Sequence, residues 1–199
     1  NEQKNLIRIV KKSNEYTLDG SFFNADNLIE NILFDDEDEL GILNKNFKMK
    51  VNIDNVRLDN EYNLNNFSGN LFFKDKKIND AKLSGNFSND KKMSFTVKSN
   101  GSTKITTLFL DHAEPIVKRY KFIKGFDKGI LDFYSTKSGD ESNSQLKIYD
   151  FKLKELPALT KLLTLASLQG IADVLSGEGI RFNEFEMNFE NQDKLMTIK

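Results

Sequence analysis

Apolar and polar residues alternate one for one along much of this chain, and that period of two constrains its fold more than any other feature. Phe47, Met49, Val51 and Ile53 are separated by Lys48, Lys50 and Asn52. Ala81, Leu83, Gly85 and Phe87 are separated by Lys82, Ser84 and Asn86, and Met93, Phe95 and Val97 by Ser94 and Thr96. Leu146 and Ile148 flank Lys147. Successive side chains of an extended chain point to opposite faces, so each run places its apolar residues on one face. Such one-sided strands belong to antiparallel sheets with one face in water. The clusters Ser68-Gly69-Asn70, Asn79-Asp80, Ser88-Asn89-Asp90, Ser99-Asn100-Gly101 and Ser138-Gly139-Asp140 fall between runs and read as turns. From residue 42 onward they predict consecutive hairpins, a meander. Between Ile180, Phe182 and the set Phe185, Met187, Phe189 the apolar parity shifts by one, which predicts a bulge near Asn183-Glu184.

Three stretches carry helical spacing instead. Asp26 to Phe34 presents Leu28, Ile29, Ile32 and Leu33. Ala113 to Phe122 presents Ile116, Val117 and Tyr120, with Pro115 suited to a first turn. Pro157 to Leu175 is the strongest, with Leu159, Leu162, Leu163, Ala166, Leu168, Ile171, Ala172 and Leu175. Gly170 is placed to divide it, and Gly177 or Gly179 to end it with positive φ. Packing alone makes it a core helix laid across a sheet. The functional alternative is a lid over an apolar groove.

Composition narrows the chemistry. In 199 residues there are 29 basic and 30 acidic side chains, a net of −1, without the basic excess of a nucleic-acid binder. There is no cysteine and a single histidine, His112, so zinc–thiolate and two-histidine metal sites cannot form. The 25 Lys and 23 Asn against 4 Arg are a skew of the kind an AT-rich genome produces, and the Asn abundance is not read as chemistry. No apolar run reaches the ~18 residues of a membrane span. The first residue, Asn1, is not Met, so the chain is expected to be a piece of a longer protein.

Three motifs carry residue types that could form sites. His112 lies between Asp111 and Glu114, but no nucleophile accompanies it, and a polar residue near a helix start is the simpler reading. Asp35-Asp36-Glu37-Asp38-Glu39 lacks the spacing of a calcium loop and reads as a solvated acidic loop. Ser176-Gly177-Glu178-Gly179 lacks the Lys-Ser/Thr of a phosphate loop, and its helix precedes the glycines. No catalytic residue, metal or cofactor is expected.

The segment from Leu146 to Phe189 carries Asp150-Phe151, Pro157, Leu162-Leu163, Ala166-Ser167-Leu168, Gly170, Leu175 and Gly177-Glu178-Gly179-Ile180 with Phe182. It closely resembles the C-terminal region of the YhdP-type branch of the AsmA-like superfamily. Asp111 to Leu131 is similar to that family's turn, helix and glycine-initiated strand, although His112 intervenes and Lys128-Gly129 replaces a glycine pair. Tyr16-Thr17-Leu18-Asp19-Gly20 before a short helix also fits.

The resemblance implies a large bacterial envelope protein with an inner-membrane anchor and a β-rich periplasmic body. It implies movement of phospholipid between the two membranes along an apolar trough, and no catalysis. The fold expected is therefore α+β: one domain over 1–199, a long twisted antiparallel sheet curled into a trough, with two or three short helices packed on its apolar side. The expected function is a non-enzymatic, periplasmic segment, tethered through the rest of its chain, that binds phospholipid or another acyl-chain lipid. The alternative is an envelope scaffold with a closed core that recruits partner proteins for outer-membrane biogenesis. The candidate groove or lid residues are Phe47, Met49, Val51, Phe87, Phe95, Leu162, Leu163, Ala166, Ile171, Leu175 and Phe182.

Overall fold

Each alternating run becomes a strand, and the strands pair in chain order. The computed structural model describes residues 4–34, 46–75, 77–120, 125–155, 179–192 and 195–199. The strands are β1 (Leu6–Lys12), β2 (Glu15–Asn24), β3 (Phe47–Arg57), β4 (Asn63–Lys74), β5 (Lys77–Asn86), β6 (Lys92–Asn100), β7 (Thr103–Leu110), β8 (Phe126–Ser138), β9 (Glu141–Leu153), β10 (Ile180–Gln192) and β11 (Leu195–Ile198). They form one open sheet of eleven strands in sequence order. The pairs are antiparallel as expected, except that β2 runs parallel to β3. A parallel neighbour needs a crossover rather than a tight turn, and helix α1 (Asp26–Phe34) lies on that crossover.

Helix α1 matches its predicted span, and the Asn24 side chain opens it by accepting from the Asp26 N–H at 3.1 Å. Helix α2 (Glu114–Val117) is much shorter than the predicted Ala113–Phe122, with Pro115 in its first turn. The 157–175 helix lies outside the described residues, as do the acidic run and residues 176–178. Gly179, at the entry to β10, has φ +81°, and a Cβ there would meet the Leu153 carbonyl oxygen at 2.6 Å.

The turns at Ser88–Asp90, around Asn100-Gly101 and around Gly139 are found where expected. The other two clusters are corrections. Ser68-Gly69-Asn70 lies inside β4 and Asn79-Asp80 inside β5. Gly69 serves close approach, not reversal: at φ +151°, a Cβ would stand 1.9 Å from the Lys82 carbonyl oxygen of β5.

The parity shift in β10 is real, but no residue is inserted there. Phe182 faces Phe151 and Phe185 faces Ile148, a constant offset along β9. The change occurs at the level of Asp150, whose φ is +50°, beside Lys128 and Gly129 of β8 at +66° and +92°. In β4 a similar residue, Asn66 at φ +52°, separates Leu64 from Phe67, both on the apolar side of the chain. One residue in left-handed conformation switches the side on which the following apolar residues fall; the β9–β10 register runs on unshifted, whereas at Asn66 the β4–β5 register slips between Asn65 and Ser68. Asn and Asp enter that conformation most readily after glycine.

Apolar residues converge at one end of the sheet in a buried cluster. It includes Val51, Ile53, Val56 and Leu64 from β3 and β4, Leu110, Leu131, Ile148 and Phe151 from β7 to β9, and Val117 from α2. Arg119, just after α2, donates to the Pro115, Asp26 and Leu58 carbonyls and to the Asp26 carboxylate at 2.7 Å.

Candidate binding faces of the sheet

Register turns the period of two into continuous rows. Ile9, Leu18, Val51, Gly69, Leu83, Phe95, Leu108, Phe133, Leu146 and Met187 are successive cross-strand partners from β1 to β10. Nine strand spacings of ~4.8 Å make this row about 43 Å long measured along the sheet. Leu18, Leu83, Phe95, Leu108, Phe133, Leu146 and Met187 are half-buried, so the row is neither sealed into the core nor fully in water. A second row, Tyr16, Met49, Leu71, Ala81 and Val97, continues into Thr106, Ser135 and Ser144 before Phe189 and Ile198. Its polar step is self-satisfied, since the Ser144 hydroxyl hydrogen-bonds the Ser135 hydroxyl at 2.9 Å.

The candidate lipid residues divide among these settings. Phe47, Met49, Val51 and Phe95 share the apolar face. Phe47 and Val51 are buried, while Met49 and Phe95 are half-buried. The Phe47 ring stacks on Phe73 with centroids 4.5 Å apart. Half-buried Phe182 stacks on Phe151 at 5.0 Å. Phe87 is buried at the far end and packs edge-on against His112, 5.1 Å away. Leu162, Leu163, Ala166, Ile171 and Leu175 lie outside the described residues.

His112 is bounded by aromatic rings, with Tyr62 on its other side at 5.1 Å. Burial, aided by the charge of Lys91, holds its pKa below the ordinary value. Asp111 is used locally: its carboxylate accepts from the Lys92 N–H at 2.7 Å and pins the start of β6. Glu114 is buried and accepts from the Lys128 N–H at 2.5 Å through Oε1, while Oε2 has no partner. Burial pushes this carboxyl above the usual Glu range. These residues hold the backbone at one end of the sheet.

The opposite face carries a feature the sequence reading passed over. A groove of about 530 Å³ crosses β2 to β6. Lys48, Lys50, Lys82 and Lys98 line it with Glu15, Asp80, Asn70 and Phe72. By register these side chains occupy two adjacent rows of the polar face, and the backbone of the row between them is the floor. The signal was the Lys-x-Lys alternation of β3, visible in sequence as no more than a solvated face. Comparison with protein-family models, with curated proteins and with solved structures found no match to this chain.

Proposed function

We propose that this chain binds acyl-chain lipid along the apolar face of its sheet, as a non-enzymatic segment that passes phospholipid between the inner and outer membranes of a bacterial envelope. The observation that carries the reading is the cross-strand row from Ile9 to Met187, which has an apolar side chain on every strand except at Gly69 of β4 and is half-buried over most of its length. A sheet face of this kind must cover its apolar area, and acyl chains cover it at roughly 25 cal/mol per Å² removed from water. Phe95 and Phe133 lie two strands apart on that row with Leu108 between them, a wide apolar wall without fixed polar contacts. In this reading the sheet curls so that the row runs along a trough, and the 157–175 segment lies over it. The resemblance in residues 146–189 to AsmA-like proteins points the same way and supplies the periplasmic location and the membrane tether.

Native mass spectrometry of the purified chain tests the proposal, read beside Leu108→Glu. The expected result is co-purified phospholipid on the parent chain and its loss from the variant, with the circular dichroism spectrum kept. A parent chain free of lipid that also fails to displace a fluorescent fatty acid would favour the closed-core scaffold.

A further inference from the structure

We infer that the polar face of the sheet carries a binding site for a phosphorylated ligand with more than one anionic group, held by Lys48, Lys50, Lys82 and Lys98. The inference stands on the opposite face from the proposed lipid row and does not depend on it. Four lysines line one groove of about 530 Å³, within the size range of ~300–1,000 Å³ common for small-ligand sites. Lys48 and Lys50 are two residues apart on β3, ~7 Å, and Lys82 lies two strands away from Lys50, ~10 Å, so the cations surround a volume larger than one phosphate.

What sets these lysines apart is that four of them line one groove. Toward the C-terminal strands several basic residues are ion-paired: Lys147 with Glu184 and Glu186, Lys154 with Asp127, Arg181 with Asp150 and Lys199 with Glu190. The four groove lysines have no ion pair among the described residues, in a chain of net charge −1. The groove's own carboxylates neutralise them only in part. Asp80 accepts from the Asn79 amide at 2.5 Å and the Ser99 N–H at 3.4 Å, and with Glu15 it gives two carboxylates against four ammonium groups, a local excess of positive charge. Lysine binds phosphate as a point charge on a flexible stem, so a ring of four suits a ligand of varied shape. Phe72, half-buried among them, offers an apolar surface to the part of the ligand between its phosphates.

Fructose 1,6-bisphosphate and inorganic phosphate serve as free probes, and phosphatidylcholine vesicles with and without phosphatidylglycerol as the lipid-borne source, each titrated onto the full chain. Lys50→Glu/Lys82→Glu is the test variant. Lys48→Gln/Lys98→Gln removes charge without reversing it, and Lys137→Glu on β8 is a control for net charge. The expected result is salt-sensitive binding of the bisphosphate, tighter than inorganic phosphate, weakened about ten-fold or more in both groove variants and unchanged in Lys137→Glu. Binding of the phosphatidylglycerol vesicles alone, with the same ordering of variants, would support the site with a lipid headgroup as the source of the phosphate. No binding of any probe, or equal losses in the groove variants and Lys137→Glu, would overturn it.

Discussion

Single residues decide this sheet where the backbone leaves ordinary strand geometry. Gly69 is the sharpest case, because a methyl group there collides with the Lys82 carbonyl oxygen rather than with a side chain that can swing away. Gly69→Ala should lower stability by about 3 kcal/mol, measured by urea unfolding. Asp150 shows the milder form of the same constraint. Asp150→Gly should stay near the parent, whereas Asp150→Val should lose about 1–2 kcal/mol, since a β-branched residue resists a φ of +50°. Sequence could not separate Gly69 from a turn glycine: both sit among Ser and Asn, and only the neighbouring strand reveals the close approach. Glu114 adds a pH dependence. Its folded pKa is raised, so the protonated form favours folding. That stabilisation is complete below the ordinary Glu value and is lost as pH rises through the raised one. Glu114→Gln keeps an oxygen for the Lys128 N–H and removes the buried charge. Its melting temperature should therefore exceed the parent's at pH 8, and the gap should close toward pH 4. A gap independent of pH would exclude Glu114 as its origin.

At the scale of elements, the helices depend on contacts that no local pattern encodes. The span of α1 was legible because apolar residues recur there at helical spacing. The short span of α2 was not, and the reason lies in Arg119. Its partners Leu58 and Asp26 are 61 and 93 residues away in the chain. The Arg119 side chain is 9% exposed, and its guanidinium joins the end of α2 to the start of α1 and to the end of β3. Removing it leaves the Leu58 carbonyl and the Asp26 carboxylate without their donor. Arg119→Ala should destabilise by about 3 kcal/mol, and Arg119→Lys should recover less than half of that, because an ammonium cannot fork among four acceptors. Hydrogen exchange resolved by residue would place the loss at Ala25–Ile29 and Glu114–Tyr120 before the central strands.

For the whole molecule, alternation made the meander legible, since a one-sided strand has one sensible neighbour in an antiparallel sheet. The parallel β2–β3 pair was hidden because its register is set across a crossover, and the basic groove was hidden because cross-strand neighbours are invisible until strands are aligned. The same alignment exposes the two ends of the sheet. In β1, Leu6 and Ile9 are 57% and 60% exposed, and in β11, Leu195 and Ile198 are 70% and 66% exposed. Among the described residues both strands pair on one side only, so each presents apolar side chains together with a row of backbone groups that no described strand pairs. Edges of this kind invite further strands, and charged side chains placed on them discourage it. Val10 and Leu195 lie on the polar face by register, so changing them leaves the apolar row intact. The chain should associate as concentration rises, seen as a growing weight-average sedimentation coefficient. Val10→Lys/Leu195→Lys should hold it monomeric without lowering its melting temperature by more than about 3 °C, as expected for exposed sites whose substitutions change stability by under ~0.5 kcal/mol. If the variant associates as the parent does, the contact lies on a face of the sheet and the edges are bystanders.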